Sequence, residues 1–396
     1  MFNVIGDFFG SSGYANHTRN LANALFKQTK TRISTNLPLG WEQNVNDNEL
    51  LMIKTKPEKD EINLIITMPH QWKLFTGPGR NIAYCVWEGN KVPKSFIEEF
   101  LNPDIEYIFV PSMHTKEALC QTIRESATTD DYISGILHNK IKIIPHGVDL
   151  TKFYSQRKKD GDDGSNVPHL ETRSRVEEEN TTEKMTTSSV EHVDNHADIF
   201  TFVANKGFRN LEDRGGIQYL IQAYLEEFTN QDKVELLIKI NPAYGIGPIQ
   251  ELIKKYAKPN NPIIKINTEN MPYEKLVNLY NKGNVFVSPT RADAFNLPGL
   301  ESHACGLPTI QTNYGGQLDY MKEDIDFFVD YELREVEHEC MYEGISWAKI
   351  KIEDLRKKMR YAYENQEEIK QRGQKAIEDS KNWTWDNSAT KIVTLK

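Results

Sequence analysis

Cysteine is scarce in this chain: four occur in 396 residues, at Cys85, Cys120, Cys305 and Cys340, and none forms a CxxC pair. That spacing speaks against a zinc knuckle or a redox dithiol and suits reduced thiols in a cytosolic protein. Long apolar runs are missing as well; none reaches the roughly 18 residues that a membrane span needs. The opening segment, MFNVIGDFFGSSGYANHTR, has neither the basic flank nor the extended apolar core of a secretory leader. Positive charge is not in excess. Lys and Arg number 48 against 57 Asp and Glu, a net charge of −9, which argues against nucleic acid as a partner. Of the ten histidines only His192 and His196, in HVDNH within the charged stretch 155–198, stand at HxxxH spacing, and the acids form no cage, so neither a metal nor another bound cofactor is expected. Asn16, Asn180 and Asn382 stand in glycosylation sequons, read as chance matches in a chain that is not secreted.

What is present is an alternation of short apolar runs and amphipathic stretches. Phe2–Phe8, Ile62–Thr67, Asn81–Val86, Ile105–Val110 and Ile141–Ile144 read as buried parallel strands. Tyr14–Phe26, Lys94–Leu101 and Met113–Thr122 read as helices between them. Residues 1–154 therefore form one doubly wound α/β domain. Residues 155–198 are rich in Lys, Glu, Asp, Ser and Thr, and cannot bury enough surface to offset their ordering entropy. They read as a flexible charged insert, and its DGDDG at Asp160–Gly164 as solvated linker rather than a metal motif. The α/β rhythm resumes over 199–380, with strands at Ile199–Ala204, Val234–Ile240, Pro262–Ile266, Asn284–Ser288 and Leu307–Thr312. Glu353–Ser380 reads as helical, and a last helix, Asn387–Leu395, closes the chain in 381–396. At 396 residues, two domains with a cleft between them is the natural division. In open sheets of this kind, ligands bind at the carboxyl ends of the strands.

The stretch with most chemistry is Ser288–Gly316, SPTRADAFNLPGLESHACGLPTIQTNYGG. It places Asp293 and Glu301 on either side of a helix start. The unpaired N–H groups of a first helical turn, at the positive end of the dipole, can face phosphates. The flanking carboxylates can accept hydrogen bonds from sugar hydroxyls. In the first half, Gly10 and Gly13 would let backbone approach a phosphate or an acceptor, or would simply make a strand-to-helix turn. Arg19 follows as an anion contact or a surface residue, and His70, after a strand end, as a candidate to line the cleft.

Ser288–Gly316 resembles the signature of retaining glycosyltransferases of the GT-B fold, family 4 (glycosyl transferases group 1). IIPHGVDLTKFY at Ile143–Tyr154 resembles the family's segment closing its first domain. ANKGFRNLEDRGG at Ala204–Gly216 resembles its basic loop, and GSSGYANHTR at Gly10–Arg19 its glycine loop. WTWDNSATKI at Trp383–Ile392 resembles the closing helix that crosses back to the first domain. NIAYCVWEGNKVP (Asn81–Pro93) with IFVPSMHTKEAL (Ile108–Leu119) resembles a subgroup with Trp-Glu after that strand. The match covers nearly the whole chain except 155–198.

The resemblance implies two Rossmann-like domains, 1–154 on the acceptor side and 199–380 holding a nucleotide-sugar. It implies hexosyl transfer from a UDP- or GDP-sugar to a hydroxyl of a glycan or glycolipid, with retention and without metal. Asp293 falls on the first acid of the family's Glu-x7-Glu motif and is one methylene shorter. Glu301 falls on the ribose-binding acid. Phe295, Asn296 and Leu297 fall where backbone N–H groups hold diphosphate and sugar. Lys206 and Arg214 are the expected cations for the leaving diphosphate, with Arg209 a competitor for either role. Fixed cations there lower the barrier as negative charge gathers. Where many members carry a pocket His, this chain has Trp87 and Glu88, which puts Glu88 in line to bond or polarise the acceptor hydroxyl. The departing phosphate oxygen can take the acceptor proton on the same face, so Asp293 and Glu301 are not a glycosidase pair. A lipid-linked acceptor would require peripheral membrane contact, for which no clear basic amphipathic helix is seen. Two rival readings stand beside transfer: a sugar-nucleotide epimerase of the same fold, and an inert nucleotide-sugar-binding homologue.

Overall fold

Runs of Ile, Leu, Val and Phe that are buried along most of their length build two parallel sheets. The computed structural model describes residues 1–10, 12–126, 139–157, 199–242, 245–337 and 340–395. The expected insert at 155–198, DGDDG included, lies outside these except for Ser155–Arg157.

The first sheet contains β1 (Phe2–Gly6), β2 (Thr31–Ser34), β3 (Ile62–Ile66), β4 (Arg80–Tyr84), β5 (Ile105–Val110) and β6 (Ile141–Ile143), in the order β2-β1-β3-β4-β5-β6. The second contains β7 (Phe200–Lys206), β8 (Val234–Ile240), β9 (Ile263–Asn267), β10 (Val285–Ser288), β11 (Thr309–Thr312) and β12 (Phe327–Val329), in the order β12-β11-β10-β7-β8-β9. The second order is that of the dinucleotide-binding doubly wound sheet, whose strand order reverses between its first and fourth strands. Here the reversal falls between β7 and β10, which pair in parallel. The carboxyl ends of these two strands lead to Lys206 and to Asp293.

Register in the first sheet is held by a row of buried amides. Asn3, Asn63 and Asn81 stand opposite one another on β1, β3 and β4. Asn3 donates to Asn63 (2.9 Å) and Asn63 to Asn81 (3.0 Å). A slip of one residue would break both bonds and bury unpaired amides.

Helices cover the sheets: α1 (Gly13–Phe26), α2 (Asp47–Lys54), α3 (Ile97–Leu101) and α4 (Met113–Ser126) in the first half, and α5 (Ile217–Glu227), α6 (Ile249–Tyr256), α7 (Tyr273–Lys282) and α8 (Leu297–Ala304) in the second. The charged tail is two helices, not the single one expected over Glu353–Ser380. α9 (Ile352–Glu364) and α10 (Gln366–Ser380) break at Asn365, whose ψ of 49° leaves the helical region. α2 and β2 were not expected, nor was the antiparallel pair β13 (Tyr331–Glu335) and β14 (Ser346–Ile350) that follows β12.

The last helix, α11 (Trp385–Thr394), returns to the first domain. Its Trp385, Ala389 and Ile392 are buried with Val4, Leu21 and Leu25. Val148 N–H donates to Trp383 O at 2.8 Å, so the two passages between the domains run side by side. Gly147 is required there, because a Cβ would lie 2.1 Å from Trp385 N. No helix of the described residues is long and apolar enough to cross a membrane.

Candidate functional site

The site forms where β7 and β10 end. Lys206, the last residue of β7, reaches Asp293 Oδ2 at 2.7 Å and Asn296 Oδ1 at 2.6 Å. The other Asp293 oxygen accepts the N–H groups of Phe295 (3.2 Å) and Asn296 (2.6 Å). Asp293 thus ties a turn that ends at Asn296, the residue preceding α8. Asn296 has φ 62°, the left-handed region, and is the only non-glycine with positive φ among the described residues. It is buried, and its amide donates to Ser288 Oγ (3.1 Å) and to Gln311. Three hydrogen bonds to one side chain offset the strained backbone.

A glycine lets this turn close. Gly316 N–H donates to Asp293 O at 2.8 Å, and a Cβ on Gly316 would sit 1.8 Å from Ala294 O. Burial works to raise the Asp293 pKa, but Lys206 and Arg214 overcome it and hold the carboxyl down at about 2. Glu301, one turn into α8, is in the opposite situation. Burial pushes its carboxyl up to about 7, against the Tyr280 hydroxyl, which donates to Oε2 at 2.9 Å, and the Lys206 charge.

Arg214 lies on the loop after β7. Its Nε is 3.3 Å from Glu88 Oε1 and its guanidinium donates to Ala292 O at 3.3 Å. Glu88 belongs to the first domain, so this pair crosses the cleft. Partial burial opposes the Arg214 charge, yet Glu88, Tyr342 and Asp293 raise its pKa above the ordinary value. Other contacts close the same seam. Ser112 Oγ donates to Ala294 O (2.8 Å) and Tyr273 OH to Asn16 (2.8 Å). Beside Glu301, the space lined by Asn16, Asn20, Asp149, Lys152 and Tyr273 is about 10 Å³, room for one water. His17 and His146 are buried at the seam, 4.4 Å apart ring to ring, and burial lowers both pKa values.

The structure brings Asp293, Lys206, Arg214, Glu88, Asn296 and Phe295 together and sets Glu301 behind them. Leu297 opens α8 and packs against the cores of both domains. Several expected roles do not survive. The N–H groups of Phe295 and Asn296 do not stand free for a diphosphate; Asp293, with its short side chain, folds back onto them. Arg19 is neither an anion contact in the cleft nor a free surface residue. It forks onto Glu49 at 2.8 and 2.7 Å and donates to Asn44 O. Trp87 is buried and packs, donating to Lys91 O at 2.6 Å, so it does not face an acceptor. His70 is exposed in the turn after β3, beside Phe96. Arg209 is 61% exposed and lies 4.0 Å from Asp213. Gly10 N–H donates to Asp7 (3.1 Å) and Gly13 begins α1, as a plain strand-to-helix turn would have it. Tyr280 and Tyr342 escaped the sequence reading, since nothing in their neighbours marks either as facing an acid. Among the described residues, no group of three or more His, Cys, Asp or Glu is arranged to hold a metal ion.

Comparison with known proteins bears on this geometry. Residues 209–379 match the family model for glycosyl transferases group 1. That span holds Arg214, Asp293 and Glu301. Comparison with curated protein sequences gives no match. Among solved structures, the chain resembles sucrose-phosphate synthase from Thermosynechococcus elongatus at 15% identity, over 100% of this chain and 97% of that one, with TM-score 0.62. It resembles a glycosyltransferase from Rickettsia africae at 14% identity, over 100% and 97%, with TM-score 0.63. It also resembles Anabaena HepE, solved with UDP-glucose, at 10% identity, over 100% and 98%, with TM-score 0.63. The fold is GT-B: two Rossmann-like α/β domains facing across a cleft.

Proposed function

We propose that this chain is a retaining hexosyltransferase. It moves a hexosyl unit from a UDP- or GDP-sugar to a hydroxyl of a glycan or lipid-linked acceptor. The observation that carries the reading is the placing of Lys206 and Asp293 at the switch point of the second sheet, against the start of α8, with Arg214 beside them. Anionic ligands are favoured at such a point by the dipole end and fixed cations. The group 1 match, which spans Arg214 and Asp293 and begins just after Lys206, supports it, and the UDP-glucose held by HepE, a protein of this fold, suggests the donor class.

In this reading Lys206 and Arg214 hold the diphosphate and stabilise the charge it gains as the glycosidic bond breaks. They, rather than a divalent metal, supply the positive charge. Asp293 faces the sugar and Glu301 takes the ribose hydroxyls. Glu88, from the other domain, lies on the acceptor side. The leaving phosphate oxygen accepts the acceptor proton while the new bond forms on the same face. The space beside Glu301, about 10 Å³, is too small for a ribose, so in this reading the domains part to admit the donor and then close.

One observation favours the inert binding homologue. Asp293 occupies two backbone donors that a diphosphate would use. Incubation with a panel of UDP- and GDP-sugars, with and without acceptors, separates the readings. Acceptor-dependent nucleotide release supports transfer. Release without any acceptor points to epimerase-type chemistry. Binding without release from any donor overturns transfer in favour of the inert homologue.

A further inference from the structure

The β13–β14 hairpin belongs to the second domain by sequence, but Tyr342, Ile345 and Ser346 at the start of its second strand reach into the first. Ile345 is buried among Trp87, Val92 and Phe96. A Cβ on Gly89 would lie 2.5 Å from Ile345 Cγ2, so the loop after Trp87 is shaped to receive it. Ser346 N–H donates to Asn90 Oδ1 at 2.8 Å. The Tyr342 ring stacks on Trp87 (5.1 Å, 25°) and meets Trp347 edge-on at 4.8 Å. The hairpin is also fixed to the site loop: Ala348 N–H donates to Arg291 O (2.8 Å), and Arg291 Nε donates to Ala348 O (3.2 Å).

From this seat Tyr342 OH donates to Glu88 Oε1 at 2.5 Å. The same oxygen is the one Arg214 Nε approaches, at 3.3 Å. The tyrosine bond is the shorter, and it decides where the carboxylate sits. A guanidinium and a carboxylate left to themselves pair as a fork, with two contacts of about 2.7–2.9 Å. The Arg214–Glu88 contact is longer than that. Oriented by its bond to Tyr342, Glu88 meets Arg214 through one long contact and steadies it without clamping it.

We propose that Tyr342 is a positioning residue for the donor diphosphate, acting through Glu88 on Arg214. By restraining Glu88 it leaves the guanidinium available to phosphate. Because Tyr342 arrives on the hairpin that links the domains, the guanidinium is placed only when the cleft is closed. The inference rests on the donor-site reading above and goes beyond it by naming the group that keeps its arginine from being captured by the chain's own acid.

Tyr342→Phe removes the hydroxyl and keeps the ring that stacks on Trp87. Calorimetry on the full chain would compare UDP and GDP with uridine and guanosine. In Tyr342→Phe, affinity for the nucleoside diphosphate that the wild type binds should fall about tenfold, with the nucleoside unchanged, as expected for a lost bond to a charged group. Adding Glu88→Gln removes the competing carboxylate and should bring the affinity back to within about threefold of wild type. Equal affinity in wild type and Tyr342→Phe overturns the inference and leaves the donor site standing. So does an equal loss for nucleoside and diphosphate, which would report packing, and so does a double variant as weak as the single one. A wild type that binds no nucleoside diphosphate takes down the donor-site reading and this inference together.

Discussion

Lys206 and Asp293 form a partly buried ion pair, 2.7 Å apart, between the end of β7 and the loop before α8. The two residues are 87 positions apart in sequence and stand at or just past the ends of two strands that are neighbours in the sheet. Lys206→Met leaves Asp293 charged and partly buried without its main partner, which costs at most about 3–5 kcal/mol, the figure for a fully buried pair. Denaturant unfolding at pH 7 should show that loss. The sign with pH follows from the depressed Asp293 pKa of about 2. The pair's stabilisation is present above the ordinary carboxylate range and is lost as pH falls towards about 2. The variant should lack that part of the acid slope. Turnover should slow more than nucleotide affinity weakens.

Asp293→Glu tests the short acid directly. The longer side chain cannot accept from the N–H groups of Phe295 and Asn296 in the same geometry, so stability should drop by about 1–2 kcal/mol. The freed donors then face the cleft, and affinity for a nucleoside diphosphate should rise. Opposite changes in melting temperature and affinity are the expected result. A fall in both would show that Asp293 is not what occupies those donors.

Glu301 should make the protein sensitive to neutral pH. Its carboxyl titrates at about 7 in the folded state against an ordinary 4.5. The folded state therefore binds the extra proton between these values, and stability falls as pH rises through them, by on the order of 3 kcal/mol. Glu301→Gln should flatten this part of the profile and be the more stable form at pH 8. If Glu301 takes the ribose as proposed, nucleotide affinity should rise as pH passes about 7 in the wild type, because only the carboxylate accepts from two hydroxyls. In the variant it should be low and independent of pH.

Gly316→Ala should disturb the site without touching a charged group. The added methyl meets Ala294 O at 1.8 Å and Ser112 Oγ at 2.7 Å, both at the seam between domains. The Asp293 turn must shift. A loss of about 3 kcal/mol or more is expected from overpacking against backbone, along with loss of nucleotide binding. Thermal unfolding and calorimetry would measure the two.

The alternating α/β plan was legible because buried parallel strands are continuous apolar runs. Ile105–Val110 and Val234–Ile240 were bounded correctly by that signal alone. β2, Thr31–Ser34, is short and mixes polar with apolar residues, and β13, Tyr331–Glu335, is largely exposed and charged. Neither has the pattern that marks a buried strand. α2 did carry a sign: Asn46 and Glu49 form a capping box. In the site, Asp293, Lys206, Arg214 and Glu88 could be chosen by charge and motif. What they pair with could not. Arg19 finds Glu49 30 residues on, and Glu88 meets Tyr342 from 254 residues away. Such partners are set by packing between elements, which local periodicity does not record.

The paired passages at Gly147–Val148 and Trp383–Thr384 have a mechanical consequence. A single tether would let the two domains swivel about it. Two strands of chain bonded side by side, with α11 anchored in the first core, resist twisting and leave bending as the easy motion. The molecule then opens like a book on its spine. For a transferase of the kind proposed, each closure would bring Lys206 and Arg214 back to face Glu88 in the same alignment.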